Sequence, residues 1–68
     1  METINQYDLI EITEDINPKI KKGMRGTILE KYDDDNFEIE VLNSEGVSIS
    51  FDNQFTFTVE RRKIKRIA

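Results

Sequence analysis

Phe37-Glu38-Ile39-Glu40-Val41 alternates apolar and acidic residues without a break. A side-chain period of two puts Phe37, Ile39 and Val41 on one face and Glu38 and Glu40 on the other. That is the pattern of a strand with one side in a core and one in water. The alternation returns in Val47-Ser48-Ile49-Ser50-Phe51 and again in Phe55-Thr56-Phe57-Thr58-Val59. Between the first two runs, Asn43-Ser44-Glu45-Gly46 ends in a residue that accepts positive φ, which suits a hairpin turn. Asp52-Asn53-Gln54 reads either as a second tight turn or as a bulge in one long bent strand.

Working outward, Tyr7 to Thr13 reads as a first strand that offers Leu9, Ile10 and Ile12 to the core, and Arg25 to Tyr32 reads as another. Between them, Asn17-Pro18 disfavours helix at the residue before proline, so an ordered loop pinned by Ile16 and Ile20 is expected. Asp33-Asp34-Asp35-Asn36 has the length and character of a hairpin tip. The tail Arg61-Arg62-Lys63-Ile64-Lys65-Arg66-Ile67-Ala68 suggests a single turn and a short last strand with Ile64 and Ile67 inward. Ten isoleucines against three leucines and one alanine support strands over helices throughout. The expected fold is all-β: one domain over residues 1–68, a small SH3-like antiparallel barrel or roll of five to six strands. Its core would be Leu9, Ile12, Ile28, Phe37, Ile39, Val41, Ile49, Phe57 and Ile64.

Composition narrows the chemistry. The 68 residues contain neither cysteine nor histidine, which removes disulfides, thiol nucleophiles, imidazole bases and zinc-finger ligand sets. No stretch approaches the roughly 20 apolar residues of a membrane-spanning helix, so a membrane protein is not expected. The first residues show no basic and apolar leader, and a cytoplasmic location is expected. A chain this short buries about 60% of its unfolded surface, leaving little room for a deep substrate cleft.

Three segments together resemble a known pattern. They are Tyr7-Asp8-Leu9-Ile10-Glu11-Ile12-Thr13-Glu14-Asp15, Lys21-Lys22-Gly23-Met24-Arg25-Gly26-Thr27-Ile28-Leu29-Glu30, and Phe37-Glu38-Ile39-Glu40-Val41. The chain is similar across roughly residues 7 to 67 to the short bacterial proteins grouped as domain of unknown function 4926, and departs from them after Gly46. Gly23-Met24-Arg25-Gly26-Thr27-Ile28 also resembles the turn-and-strand element of KOW domains and other SH3-like barrels. The resemblance implies a barrel and carries over no catalytic residue. Small acidic families of this kind resemble immunity or inhibitor proteins encoded beside toxins, which suggests such a role by association.

Four constellations bear on function. Gly23-Met24-Arg25-Gly26 could present N–H groups to a phosphate, but it lacks the trailing Lys-Ser/Thr of a P-loop and serves equally as a tight turn into a strand. Asp33-Asp34-Asp35-Asn36 fails the calcium-loop pattern, which would need glycine at Glu38 and glutamate at Ser44; a solvated acidic tip is the simpler reading. Glu38 and Glu40, with Glu30, form a carboxylate set without a nucleophile or oxyanion donors, so no catalytic residue, metal or cofactor is expected. Charge is divided along the chain: residues 1–45 carry −7 and residues 46–68 carry +3, for a net −4.

Two surfaces follow. An acidic face with Asp33, Asp34, Asp35, Glu38 and Glu40 would steer a basic protein partner, as an immunity-type or antitoxin-type inhibitor does. Alternatively, Lys21, Lys22, Arg25, Arg61, Arg62, Lys63, Lys65 and Arg66 would gather into a patch that touches RNA or DNA, with Tyr7, Tyr32 or an exposed Phe stacking on bases. The bland reading of both is a charged surface in balance. The protein is expected to be a monomer or a weak homodimer; Phe51, Phe55 and Phe57 would supply a docking patch if the core does not take all three.

Overall fold

Each alternating run lies in one antiparallel sheet, in a computed structural model that describes residues 3–68. The strands are β1 (Leu9–Ile12), β2 (Arg25–Lys31), β3 (Asn36–Leu42), β4 (Ser48–Ile49), β5 (Thr56–Glu60) and β6 (Ile64–Arg66), with a single 3-10 turn at Arg61–Lys63. The order is β4-β3-β2-β1-β6, and β5 pairs with the same side of β3 as β4 does. The all-β antiparallel fold is as the sequence predicts. The sheet, however, is not closed: β4 and β5 form one end and β6 the other, and β5 and β6 are joined only through the 3-10 turn and by no ladder, so the molecule is a roll and not a closed barrel.

The core forms on the inner face. Ile4, Ile10, Ile12, Ile20, Ile28, Phe37, Ile39, Val41, Phe57, Val59 and Ile64 are buried, with Ile16, Met24, Ile49 and Phe51 packed against them. Several expectations are corrected here. Leu9 and Ile49 are half-buried, whereas Ile4, Ile10 and Val59 belong to the core. Ile67 is turned out to solvent at 41% exposure. The first strand starts at Leu9 because Tyr7 takes φ 70, a left-handed conformation that ends extended pairing.

The Val47–Phe51 run contributes only the two residues of β4. β3 explains this: five of its residues, Asn36 to Glu40, already pair with β5, which leaves Val41 and Leu42 for Ile49 and Ser48. Beyond β4, Phe51 and Gln54 form an isolated bridge across a turn whose Asp52 and Asn53 have φ 53 and 67. Two consecutive positive φ values make this the tight turn and not the bulge.

Gly26 shows why the Gly23-Met24-Arg25-Gly26 segment has its second glycine. It lies inside β2 opposite Val41, and a Cβ there would stand 2.5 Å from the carbonyl oxygen of Glu40. Gly23, in open space, instead holds φ 97 in the turn before the strand. Gly26→Ala is expected to push β2 from β3 and cost about 1–3 kcal/mol in urea unfolding. Ile39→Asp, which places a charge without a partner in a fully buried position, should abolish the cooperative transition altogether. A parent-like melt for Ile39→Asp would contradict the assignment of that face to the core.

Candidate functional site

The solvent face of β2, β3 and β5 brings together Thr27 and Glu30, Glu38 and Glu40, and Thr56 and Thr58. The cross-strand pairs are Thr27 with Glu40, Glu40 with Thr56, Glu30 with Glu38 and Glu38 with Thr58. Alternation positions five of them, since Ile28, Phe37, Ile39, Val41, Phe57 and Val59 occupy the opposite face; Glu30, two residues after buried Ile28, joins them only through the register shift between the two. Glu38 and Glu40 are half-buried within the sheet rather than fully exposed. Glu38 is held in place: its carboxylate oxygens accept from the hydroxyls of Thr56 and Thr58, each at 3.0 Å.

Glu30 faces Glu38 directly across the ladder, just past the irregularity between Ile28 and Glu30. Like charges opposed in this way repel. Among the described residues, no lysine or arginine forms an ion pair with Glu30, Glu38 or Glu40. The sheet face therefore keeps its negative charge uncompensated.

The tip Asp33-Asp34-Asp35 lies at the β2–β3 hairpin as expected, but it is organised by its own backbone. The Asp33 carboxylate accepts the N–H groups of Asp35 and Asn36, each at 2.8 Å, and the side-chain amide of Asn36 at 3.0 Å. Lys31 reaches Asp34 at 3.6 Å, and Arg61 donates its backbone N–H to the Asp35 carbonyl at 2.8 Å. Asp33 and Asp35 make no ion pair among the described residues.

Several of the basic residues lie against carboxylates, with Arg25 and Lys65 on either side of Glu11 across the β2–β1–β6 ladders. β6 lies beside β1, which sets Lys65 against Glu11 at 3.7 Å and Arg66 against Asp8 at 3.2 Å. Arg62 lies between Glu60 at 3.3 Å and Glu14 at 3.9 Å, and Arg61 turns toward the acidic tip. Lys21, Lys22, Arg25 and Lys63 have no ion-pair partner among the described residues. Even so, Asp15 accepts the Lys22 N–H at 2.8 Å, so carboxylates interleave with these cations. Tyr32 adjoins the acidic tip, at the far end of β2 from Lys21 and Lys22, and so cannot stack beside them.

The glycine segment offers no anion cradle. Gly23 N–H donates to Ile12 O at 2.8 Å and Met24 N–H to Lys21 O at 3.2 Å. Among the described residues, no group of three or more Asp or Glu side chains converges as a metal site requires. No helix among them is long and apolar enough to cross a membrane. A feature that sequence reading missed is an open groove of 690 Å³ lined by Leu9, Met24, Arg25, Leu42 and Ile49, among others. Arg25 is its one titratable side chain, so the groove offers contact surface and no acid–base pair.

The hydrogen bonds at the tip have a measurable consequence. The N–H of Asp35, then the Asn36 side chain, hold the Asp33 carboxyl below its ordinary value of 3.8. A depressed folded-state pKa stabilises the protein above the unfolded value, and that contribution is lost as pH falls through the folded value. Asp33→Asn keeps an oxygen acceptor for both N–H groups but cannot titrate. Between neutral pH and about pH 3, its urea midpoint is expected to fall less than the parent's; an equal fall would remove Asp33 from the acid response.

No curated protein and no solved structure matches the chain. One family does: a domain of unknown function, DUF4926, whose profile matches residues 6–60. That match spans β1 to the end of β5, covering both the hairpin tip and the acidic sheet face. The chain therefore belongs to the DUF4926 family.

Proposed function

We propose that the protein is a non-enzymatic interaction module that binds a basic protein partner through the acidic face of β2, β3 and β5, as an immunity-type or antitoxin-type inhibitor does. The observation that carries this reading is the difference in compensation between the two charged surfaces. Among the described residues Glu30, Glu38 and Glu40 form no ion pair, whereas Arg62, Lys65 and Arg66 are matched to Glu14, Glu60, Glu11 and Asp8. Uncompensated charge on a pleated surface projects a field that steers an oppositely charged partner and rejects like-charged ones. A matched row of ion pairs does neither at long range and contributes little on its own.

Rigidity supports the same reading. Glu38 is bracketed by two threonine hydroxyls and Asp33 by three donors, so both carboxylates are placed before any partner arrives. A preordered surface loses less side-chain freedom on binding. The groove is lined mainly by apolar and backbone surface, and Ser44 there has no acid–base partner among the lining residues, which favours recognition over catalysis. Nucleic-acid contact through Lys21, Lys22, Arg25 and Lys63 is the competing reading, favoured by their lack of ion-pair partners.

The test is capture from host lysate, with and without nuclease, by three forms of the tagged protein. These are the parent, Glu30→Lys/Glu40→Lys, and Lys21→Glu/Lys22→Glu/Arg25→Glu. The expected result is a basic protein, resistant to nuclease, that the parent and the basic-site variant retain. The acidic-site variant should lose it, with association at low salt slowed by about tenfold or more. Retention by the acidic-site variant overturns the proposal. Loss on nuclease treatment together with loss in the basic-site variant transfers the function to nucleic acid.

A further inference from the structure

The hydrogen-bonding parity of β5 follows from the residue just after it. Arg61 N–H donates to Asp35 O at 2.8 Å, one pair beyond the register of Asn36 with Glu60. Bonded and non-bonded pairs alternate along an antiparallel ladder. Phe37 with Val59 and Ile39 with Phe57 are therefore the bonded pairs, and Thr56, Thr58 and Glu60 aim their N–H and C=O groups away from β3. The Thr56 carbonyl accepts from the Gln54 side chain at 2.9 Å, as an outward group can. Among the described residues, no strand pairs with that side of β5.

Exposed strand edges are ordinarily blunted by shortness, cations, proline or a bulge. β4 has two residues; β6 has three, of which Lys65 and Arg66 are cationic. β5 is different. It has five residues in unbroken register, Thr56-Phe57-Thr58-Val59-Glu60, with no proline, lysine or arginine.

We infer that β5 pairs antiparallel with β5 of a second copy of this chain, about a two-fold axis at Thr58. This centre matches all five residues of both strands. It opposes Thr58 with Thr58, Phe57 with Val59 and Thr56 with Glu60. Threonine–threonine and aromatic–β-branched pairs are favourable cross-strand neighbours, and the one charge meets a threonine. A slip of one residue would set a core face against a solvent face, and centring on Glu60 would oppose two carboxylates. Phe55, 58% exposed just ahead of the strand, falls toward Arg61 of the second copy. Such a contact is isologous and closes at two chains. The pairing stands or falls independently of what the acidic face binds.

The experiment uses the full chain. Sedimentation over a concentration series is expected to show the mass rising from one chain to two. Thr58→Pro removes an N–H that β3 does not use, and is expected to keep a cooperative melt while remaining a single chain at every concentration. Because the chain has no cysteine, Thr58→Cys introduces one thiol. Under diamide it should form a disulfide-linked dimer far faster than Thr56→Cys, whose counterpart in the second copy is Glu60. A parent that stays monomeric to millimolar concentration, or associates beyond two chains, overturns the inference. So does cross-linking of Thr58→Cys no faster than that of Thr56→Cys, a comparison that stands even if Thr58→Pro fails to fold.

Discussion

β3 is bonded along both edges, and every other strand takes its place from that fact. Phe37, Ile39 and Val41 have no exposed surface, and β2 covers one side of the strand while β5 and β4 divide the other. A strand paired on both sides can slip only by moving three neighbours at once, and each slip by one residue would carry its aromatic and aliphatic side chains into water. The close approach of Gly26 to Glu40 tightens the constraint, because the β2–β3 distance depends on a position with no side chain. In a domain without disulfides or metal, this central ladder and the core beneath it hold the fold together.

The same alternation that buries the core sorts the charge. On the outer face, the direct cross-strand partners of Glu30, Glu38 and Glu40 are threonines and one another, since the opposing strands contribute Thr27, Thr56 and Thr58. At the other end of the sheet, β6 runs beside β1, and its cations meet Glu11 and Asp8. One surface therefore retains its field and the other cancels much of its own. The asymmetry along the sequence, −7 in the first 45 residues and +3 in the last 23, is thus partly dissolved by the fold.

Much of the strand map is legible in the residues. Phe37 to Val41 and Phe55 to Val59 alternate so regularly that their faces follow directly, and the glycine and aspartate clusters mark their turns. The first strand is less clear, because Leu9-Ile10-Glu11-Ile12 offers three apolar residues in four. Its parity is settled by Lys65, which pairs with Glu11 from the far end of the chain. Val47 to Phe51 alternates as well as its neighbours do and still fails as a full strand, for a reason no local window contains: β5 has taken most of the available edge of β3. Ile4 lies in a polar stretch and reaches the core only because the chain before β1 folds back over it. For the candidate site, Glu38 and Glu40 can be read from alternation alone, whereas Glu30 shares the parity of buried Ile28 and reaches the same face through the register shift between them. What cannot be read is which charges elsewhere are compensated, since the ion pairs of Lys65 with Glu11 and Arg66 with Asp8 join residues more than fifty positions apart.

An open roll with one unblunted edge also links the two associations argued for this protein. Pairing at Thr58 would bring Glu38 of each copy onto one continuous outer face, separated by the two copies of β5, whose outward side chains are Thr56, Thr58 and Glu60. Two chains of net charge −4 repel as they approach, so their pairing depends on backbone hydrogen bonds and is favoured when salt screens that repulsion. The proposed binding of a basic partner would draw on the same field and be weakened by the same salt. The two associations therefore respond to ionic strength with opposite sign, although they share a surface.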